Sequence, residues 1–211
     1  MKLTVLALGA LLTVAAHGAT LYDTLGPANS YQLSGSTIGG VYDQVVADLF
    51  EPTVDGKISQ ITLAMGHTSG QNLYRLDIVA NNGEEGPTGA NLFTLDFSLT
   101  GYLTTLNLSN GPSLQAGGLY WMVISGAGEG TQGAWWGNSG GFRGTTGWHN
   151  TQPGFSANAV NWHLNGDSYL NAFRVSSGTT PQDPLATPEP STALLAGPAL
   201  LLLGWLRRRR S

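Results

Sequence analysis

The stretch at residues 57–65 reads Lys-Ile-Ser-Gln-Ile-Thr-Leu-Ala-Met. Its alternate side chains Ile61, Leu63 and Met65 would share one face of an extended chain, whereas the residues between them are small or polar. Apolar residues that recur at every second position are typical of a β-strand with one buried face. The stretch therefore predicts a half-buried strand.

The same two-residue alternation recurs along the chain on both sides of this stretch. The other predicted strands are residues 41–50, 73–80, 91–98, 102–108, 119–125 and 169–175. In 119–125 both faces are apolar, so we expect that strand to lie in the centre of a sheet. Asn, Gly and Pro residues separate the strands, most clearly at 81–89. Short strands at this spacing predict an all-β fold, an antiparallel β-sandwich of the jelly-roll type, with a closed barrel as the alternative.

Two segments lack a clear strand pattern. Residues 20–40 are rich in Gly, Ser and Thr and predict an irregular segment. Residues 126–154 contain ten glycines among 29 positions, together with Trp135, Trp136 and Trp148. This composition indicates either a long loop pinned by its aromatic rings or a set of short strands. We expect the three tryptophans to lie in loops, where a ring can be exposed.

The beginning of the chain has the pattern of a secretory signal peptide at 1–19. Lys2 precedes an apolar run at 3–16, and small residues that fit a cleavage site follow between Ala16 and Ala19. The alternative is an N-terminal strand or helix that is buried in the fold. We expect the segment to direct export and to be removed.

The end of the chain combines a short motif, an apolar run and a basic cluster. The motif is Pro188-Glu189-Pro190, and the apolar run at 193–206 has 14 residues. As a helix this run would rise about 21 Å, against a hydrocarbon core of roughly 30 Å. Ser191, Thr192 and the stems of the arginines that follow bring it close to a marginal membrane span. The positive end stays cytoplasmic, which makes the cluster a membrane stop. Its members are Arg207, Arg208, Arg209 and Arg210.

These features predict a transmembrane helix at 192–206 rather than a buried or amphipathic helix, since no polar face interrupts the run. The expected organisation is a signal peptide at 1–19, a β-sandwich domain at 20–176, a linker at 177–187 and a sorting signal at 188–211.

The three ordered features at the end of the chain resemble the PEP-CTERM sorting signal of Gram-negative bacteria. The resemblance implies recognition and cleavage by an exosortase, a membrane-embedded enzyme of the inner membrane, with Pro188, Glu189 and Pro190 as the residues that it reads. It also implies a place at the cell surface or in an exopolysaccharide matrix after a transient stay in the inner membrane. We therefore expect an exported, noncatalytic protein.

The middle of the chain resembles the extracellular β-sandwich modules of the choice-of-anchor class. The likeness rests on Val-Ala-Asp-Leu-Phe-Glu-Pro at 46–52, on the strands at 58–65 and 74–78, and on Leu-Tyr-Trp-Met-Val at 119–123. The class has no agreed activity, so the resemblance implies a fold and no reaction.

The composition of the exported part excludes several kinds of site. Residues 20–187 contain twelve acidic side chains and four basic ones, a formal net charge of −8. A domain this acidic should repel nucleic acid. The whole chain contains no cysteine, which excludes disulfides, thiolate nucleophiles and cysteine metal ligands.

Few residues suggest catalysis or metal binding. His67, His149 and His163 lack the spacing of a zinc site and are expected in exposed loops. Glu129 and Asp167 are the candidate acid and base of a glycoside hydrolase, which needs two carboxyl groups at a defined separation. We expect no catalytic residue and no metal ligand.

Two weaker binding hypotheses concern calcium and sugars. Jelly-roll modules bind Ca²⁺ through loop oxygens, and the available carboxylates here are Asp43, Asp48 and Asp55, which form no ordered ligand pattern. Sugar rings stack on tryptophan, and the candidates are Trp135, Trp136 and Trp148. Adjacent residues of a strand point to opposite faces, so at most one of the first two should face solvent.

Overall fold

The computed structural model describes residues 18–150 and 162–178. Within them the regular structure is strand, apart from two short 3₁₀ turns at Pro27–Asn29 and Gly40–Tyr42. The strands are β1 (Thr20–Asp23), β2 (Tyr31–Gly39), β3 (Gln44–Phe50), β4 (Gly56–Ser69), β5 (Tyr74–Ala80), β6 (Asn91–Phe97), β7 (Leu103–Asn107), β8 (Ser113–Leu114), β9 (Tyr120–Gly126), β10 (Gln132–Asn138), β11 (Arg143–Asn150), β12 (His163–Tyr169) and β13 (Phe173–Ser177).

All the strand pairs are antiparallel. The main path of hydrogen-bonded neighbours runs β1-β13-β4-β10-β2-β3-β9-β5-β6. Beside this path, β11 pairs with β3 and β12, while β7 and β8 pair with β4. The prediction of an all-β, antiparallel fold is confirmed for the described residues.

Strand β4 connects two parts of this network. Its residues 58–63 pair with β13 and its residues 60–64 pair with β7 on the other side. Its last residues, 65–69, pair instead with β10. A 14-residue strand is long enough to serve both parts, and this gives the stretch at 57–65 its central place in the fold.

The main hydrophobic core lies on the faces that the alternation predicted. Ile61, Leu63 and Met65 are fully buried, and so are Leu76 and Ile78 of β5. Aromatic rings fill its middle, with ring centroids 5.2–5.9 Å apart. They belong to Tyr22, Phe50, Tyr120, Trp135 and Phe173.

Strand β9 is central, as its two apolar faces predict. It lies between β3 and β5. Met122 and Ile124 belong to the main core. Trp121 and Val123 belong to a second cluster on the other face, with Val45, Ala47 and Val79.

The structure corrects the prediction for residues 20–40 and decides between the two alternatives for the described part of residues 126–154. Residues 20–40 contain strands β1 and β2. Residues 126–150 contain β10 and β11, so of the two alternatives the set of strands is the observed one. Pairing explains both results, because β1 lies along β13 and the two glycine-rich strands β2 and β10 pair with each other. Local composition favoured irregular structure at 20–40, and at 126–154 it left the choice between a loop and strands open.

Candidate functional site

The tryptophans proposed to stack on sugars lie in strands β10 and β11, which corrects the expectation that they lie in loops. Trp135 is fully buried, and its Nε1 donates to the carbonyl oxygen of Ala172 at 3.3 Å. A ring with no exposed surface cannot stack on a ligand. Trp135 is therefore a core residue and is no longer a candidate for sugar stacking.

Trp136 points away from the main core and is half-buried. It packs against a small cluster formed by Leu25, Ala64 and Ala172. Its ring lies over Gly66, where a Cβ atom would come within 2.6 Å of the tryptophan Cζ2. Its buried Nε1 has no hydrogen-bond partner among the described residues.

Trp148 belongs to a pair of Trp-His dipeptides on neighbouring strands. Its half-buried ring stacks on His163, with centroids 4.4 Å apart and planes 26° apart. The neighbouring residues form the second pair, in which the ring of His149 meets the ring of Trp162 edge-on, with centroids 4.4 Å apart. Burial lowers the pKa of His149. Each histidine is thus held by the tryptophan of the other strand.

None of the three histidines described lies in a loop, which corrects a second expectation. His67 is in β4, His149 in β11 and His163 in β12. His67 is exposed, and its Nδ1 lies 2.9 Å from the hydroxyl oxygen of Tyr74. That hydroxyl also donates to the carbonyl oxygen of Gln132 at 3.1 Å.

A cavity of about 310 Å³ opens beside His67. It lies between the end of β4, the β4–β5 turn and the β6–β7 connection. Its lining residues are His67, Asn72, Leu99, Thr100, Gly101 and Tyr102. Sequence reasoning missed this site because its residues come from three separate segments.

The candidate acid and base of a hydrolase lie on different elements. Glu129 is exposed in the turn between β9 and β10. Asp167 is in β12, where its carboxylate accepts from Nε of Arg143 at 2.9 Å. The guanidinium of Arg143 also lies over the ring of Tyr169, 4.4 Å from its centroid. Asp167 is therefore part of a surface ion pair.

The three aspartates considered for calcium have different structural roles. Asp43 ends the 3₁₀ turn in a left-handed conformation, with φ of 44°. Asp55 accepts from the backbone NH of Ala116 at 2.7 Å. Asp48 is fully buried in β3. Within 18–150 and 162–178, no group of three or more His, Asp or Glu side chains is placed to hold a metal ion.

Asp48 is the centre of a buried polar network. Its carboxylate accepts from the backbone NH of Asn171 at 2.6 Å and from the Asn171 side chain at 3.1 Å. The hydroxyl of Thr24 donates to the Asn171 carbonyl oxygen at 2.7 Å and accepts from the NH of Phe173 at 2.9 Å. The network ties β3 to β1 and to the start of β13.

Burial raises the pKa of Asp48 to about 7, although the hydrogen bonds from Asn171 oppose the shift. In the sequence, this buried polar network is indicated by a carboxylate inside the apolar run Val-Val-Ala-Asp-Leu-Phe at 45–50. Its partner 123 residues away could not be inferred.

The predicted signal peptide falls almost entirely outside the described residues, and the sorting motif, the transmembrane helix and the arginine cluster fall wholly outside them. In the described part of the chain, no helix combines the length and apolar character required for a membrane span. The sequence matches no protein-family model and no curated protein.

Proposed function

We propose that this chain is an exported, noncatalytic protein of the cell surface or exopolysaccharide matrix, sorted and cleaved by an exosortase. The observation that carries the proposal is the order of the C-terminal features, with Pro188-Glu189-Pro190 first, the apolar run at 193–206 next and the four arginines last. A signal peptide at 1–19 gives the same direction of transport. The protein resides briefly in the inner membrane and then moves outward.

The exported domain in this proposal is a β-sandwich of the jelly-roll type. Support comes from the antiparallel pairing of the strands and from a main core that draws on β1, β4, β5, β9 and β13 together. In a sandwich the inward side chains of two sheets form one core, which suits this arrangement.

Mass spectrometry of the mature termini tests the sorting proposal. The full chain is expressed in a Gram-negative host that has an exosortase, and membrane and extracellular fractions are separated. We expect the loss of residues 1 to about 18 and of everything after the Pro-Glu-Pro motif, because both ends serve transport. A mature outer-membrane form that still carries Arg210 would contradict cleavage.

A matched pair of double variants makes this test specific. Pro188→Ala with Pro190→Ala removes the two residues that fix an extended backbone at the motif. Pro181→Ala with Pro184→Ala makes the same change a few residues earlier, in the predicted linker. Cleavage should fail in the first variant and continue in the second, whereas equal cleavage of both would remove the motif from the proposal.

A second candidate function is sugar binding in the matrix, with Trp148 and Trp136 as stacking residues. The observation that favours it is that Trp148 is only half-buried, with His163 stacked on its ring. A glycan array with the full chain should show binding that Trp148→Ala weakens and that the exposed-site control Val54→Ala leaves unchanged. An array without any signal from the unaltered chain would remove this candidate.

A further inference from the structure

We propose that the cavity beside His67 binds a neutral saccharide unit, with a sugar hydroxyl donating to Nε2 of His67 and an apolar sugar face against Tyr102. The site contains neither Trp136 nor Trp148. It is therefore independent of the second candidate function, and it does not depend on how the chain is sorted.

The hydrogen bonds around Tyr74 determine which nitrogen of His67 can accept. A tyrosine hydroxyl has one proton, and a carbonyl oxygen only accepts. Since the Tyr74 hydroxyl donates to the carbonyl oxygen of Gln132, it must accept the hydrogen bond that joins it to Nδ1 of His67. The neutral imidazole then carries its proton on Nδ1 and its free lone pair on Nε2.

The same contacts hold the imidazole in position. Tyr74 is fully buried in the main core, so its hydroxyl is a fixed partner. The two rings meet edge-on, with centroids 6.1 Å apart. A fixed acceptor in an exposed cavity can bind a ligand hydroxyl with little loss of side-chain freedom.

The other segments that line the cavity are also fixed before any ligand arrives. The side chain of Asn72 donates to the Leu99 carbonyl oxygen at 2.9 Å and accepts from the Leu99 NH at 3.0 Å. The hydroxyl of Thr104 accepts from the NH of Thr100 at 3.1 Å and donates to the neighbouring Gly101 carbonyl oxygen.

The position of Tyr102 follows from one backbone bond. Its carbonyl oxygen accepts from the NH of Met65, a fully buried residue of β4, at 2.9 Å. The tyrosine itself is 63 % exposed, so its ring is open to a ligand. The backbone at Tyr102 is thus held at β4, and its exposed ring is available to a ligand.

The chemistry of the lining defines the class of ligand. Among the residues that the structure describes, no Asp, Glu, Lys or Arg lines the cavity, which favours a neutral molecule. Its volume of about 310 Å³ is at the lower end for ligand sites, which suits one small ring. A pyranose offers an apolar face for Tyr102 and hydroxyls for Nε2 and the backbone. Acidic sugars are disfavoured further by the charge of −8 on residues 20–187.

Saturation-transfer NMR on the full chain tests the proposal, in a detergent without a sugar headgroup. The probes are the methyl glycosides of glucose, galactose, mannose and N-acetylglucosamine, together with methyl glucuronide as the acidic counterpart. We expect transfer to at least one neutral glycoside, with affinity for the glucuronide lower by about tenfold or more.

Substitutions locate the binding. Tyr102→Ala should weaken the best neutral glycoside by about fivefold or more, through loss of stacking. His67→Phe should weaken it by about two- to tenfold, through loss of the acceptor. Tyr42→Ala removes another exposed tyrosine, 57 % accessible in the β2–β3 turn, and should leave affinity unchanged. Trp148→Ala should also leave it unchanged.

Several results would overturn the proposal. No transfer to any neutral glycoside would do so, as would tighter binding of the glucuronide. Full affinity in Tyr102→Ala, or a loss in Trp148→Ala alone, would place binding elsewhere. Far-UV circular dichroism checks the fold of each variant, and Tyr102→Ala decides the matter if His67→Phe does not fold. None of these outcomes depends on whether the exosortase cleaves the chain. A failure of sugar binding can therefore be told apart from a failure of sorting.

Discussion

At the scale of single residues, Asp48 shows how a buried carboxyl group couples folding to pH. Its pKa of about 7 lies above the ordinary value of 3.8 because burial disfavours the charged form. Between these pH values the folded state keeps a proton that the unfolded state releases. The contribution of Asp48 to stability is therefore highest below about pH 4 and falls as the pH rises to about 7.

Asp48→Asn should remove most of this pH dependence. In the unaltered protein the contribution of Asp48 to the free energy of unfolding should be lower by roughly 2 kcal/mol at pH 8 than at pH 5. Urea denaturation at both pH values measures the difference in each protein. Subtracting the change measured in Asp48→Asn from the change measured in the unaltered protein isolates the effect of Asp48. This subtraction is needed because His149 has a lowered pKa, so its contribution to stability is lost as the pH falls, in the opposite direction. Parallel pH profiles in the two proteins would contradict the assignment.

The residues of the candidate sites differ in how far the sequence reveals them. His67 and Tyr74 are only seven positions apart, on the two sides of the β4–β5 connection, so their contact spans a short length of chain. The strands β4 and β5 do not pair with each other, so a strand prediction alone does not contain this contact. The tie between Asp48 and Asn171 spans 123 positions and exists only through tertiary pairing. Burial of Trp135 likewise depends on which face of β10 meets Phe173.

At the scale of elements, the alternation of apolar residues predicted β4, β5, β6 and β9 because each buries one or both faces in a core. It failed for β1 and β2, where few apolar residues mark the pattern. In β2 the side chains up to Thr37 are exposed or half-buried. Such a strand is held mainly by backbone pairing with β10, which sequence periodicity does not record.

Close backbone contact between β2 and β10 gives an element-scale prediction. A Cβ atom at Gly35 would overlap the backbone carbonyl oxygen of Trp135. Gly35→Ala should therefore lower the free energy of unfolding by about 1–3 kcal/mol, since backbone must move to make room. Thermal or urea denaturation measures the loss.

Gly166→Ala is the matched control for this change. A Cβ atom at Gly166 meets nothing within 4 Å, so the substitution should change stability by less than about 0.5 kcal/mol. If both alanine variants were equally stable, the tight approach of β2 to β10 would not limit the sequence at position 35.

At the scale of the whole molecule, the main core joins the first and last strands. Leu21 of β1 and Val175 of β13 belong to the same buried cluster as Phe50 and Met122. A main core that joins both ends of the domain predicts one cooperative unfolding transition.

Tryptophan fluorescence and far-UV circular dichroism test this cooperativity. The fluorescence of buried rings such as Trp121 and Trp135 reports packing, and circular dichroism reports strands. The two urea midpoints should coincide in the full chain. Distinct midpoints would mean that part of the sheet network unfolds separately.

The pairing of β1 with β13 also sets how the domain would respond to a mechanical load. Thr20, at the start of β1, lies opposite Ser176, near the end of β13, and the pair continues to Asp23 and Arg174. Tension applied at these two ends would open the pair one rung at a time, beginning with Thr20 and Ser176. The ion pair between Asp23 and Arg174, at 2.7 Å, would part late, just before the hydrogen bonds between Thr24 and Phe173. A load at these two ends would therefore be resisted by one residue pair at a time.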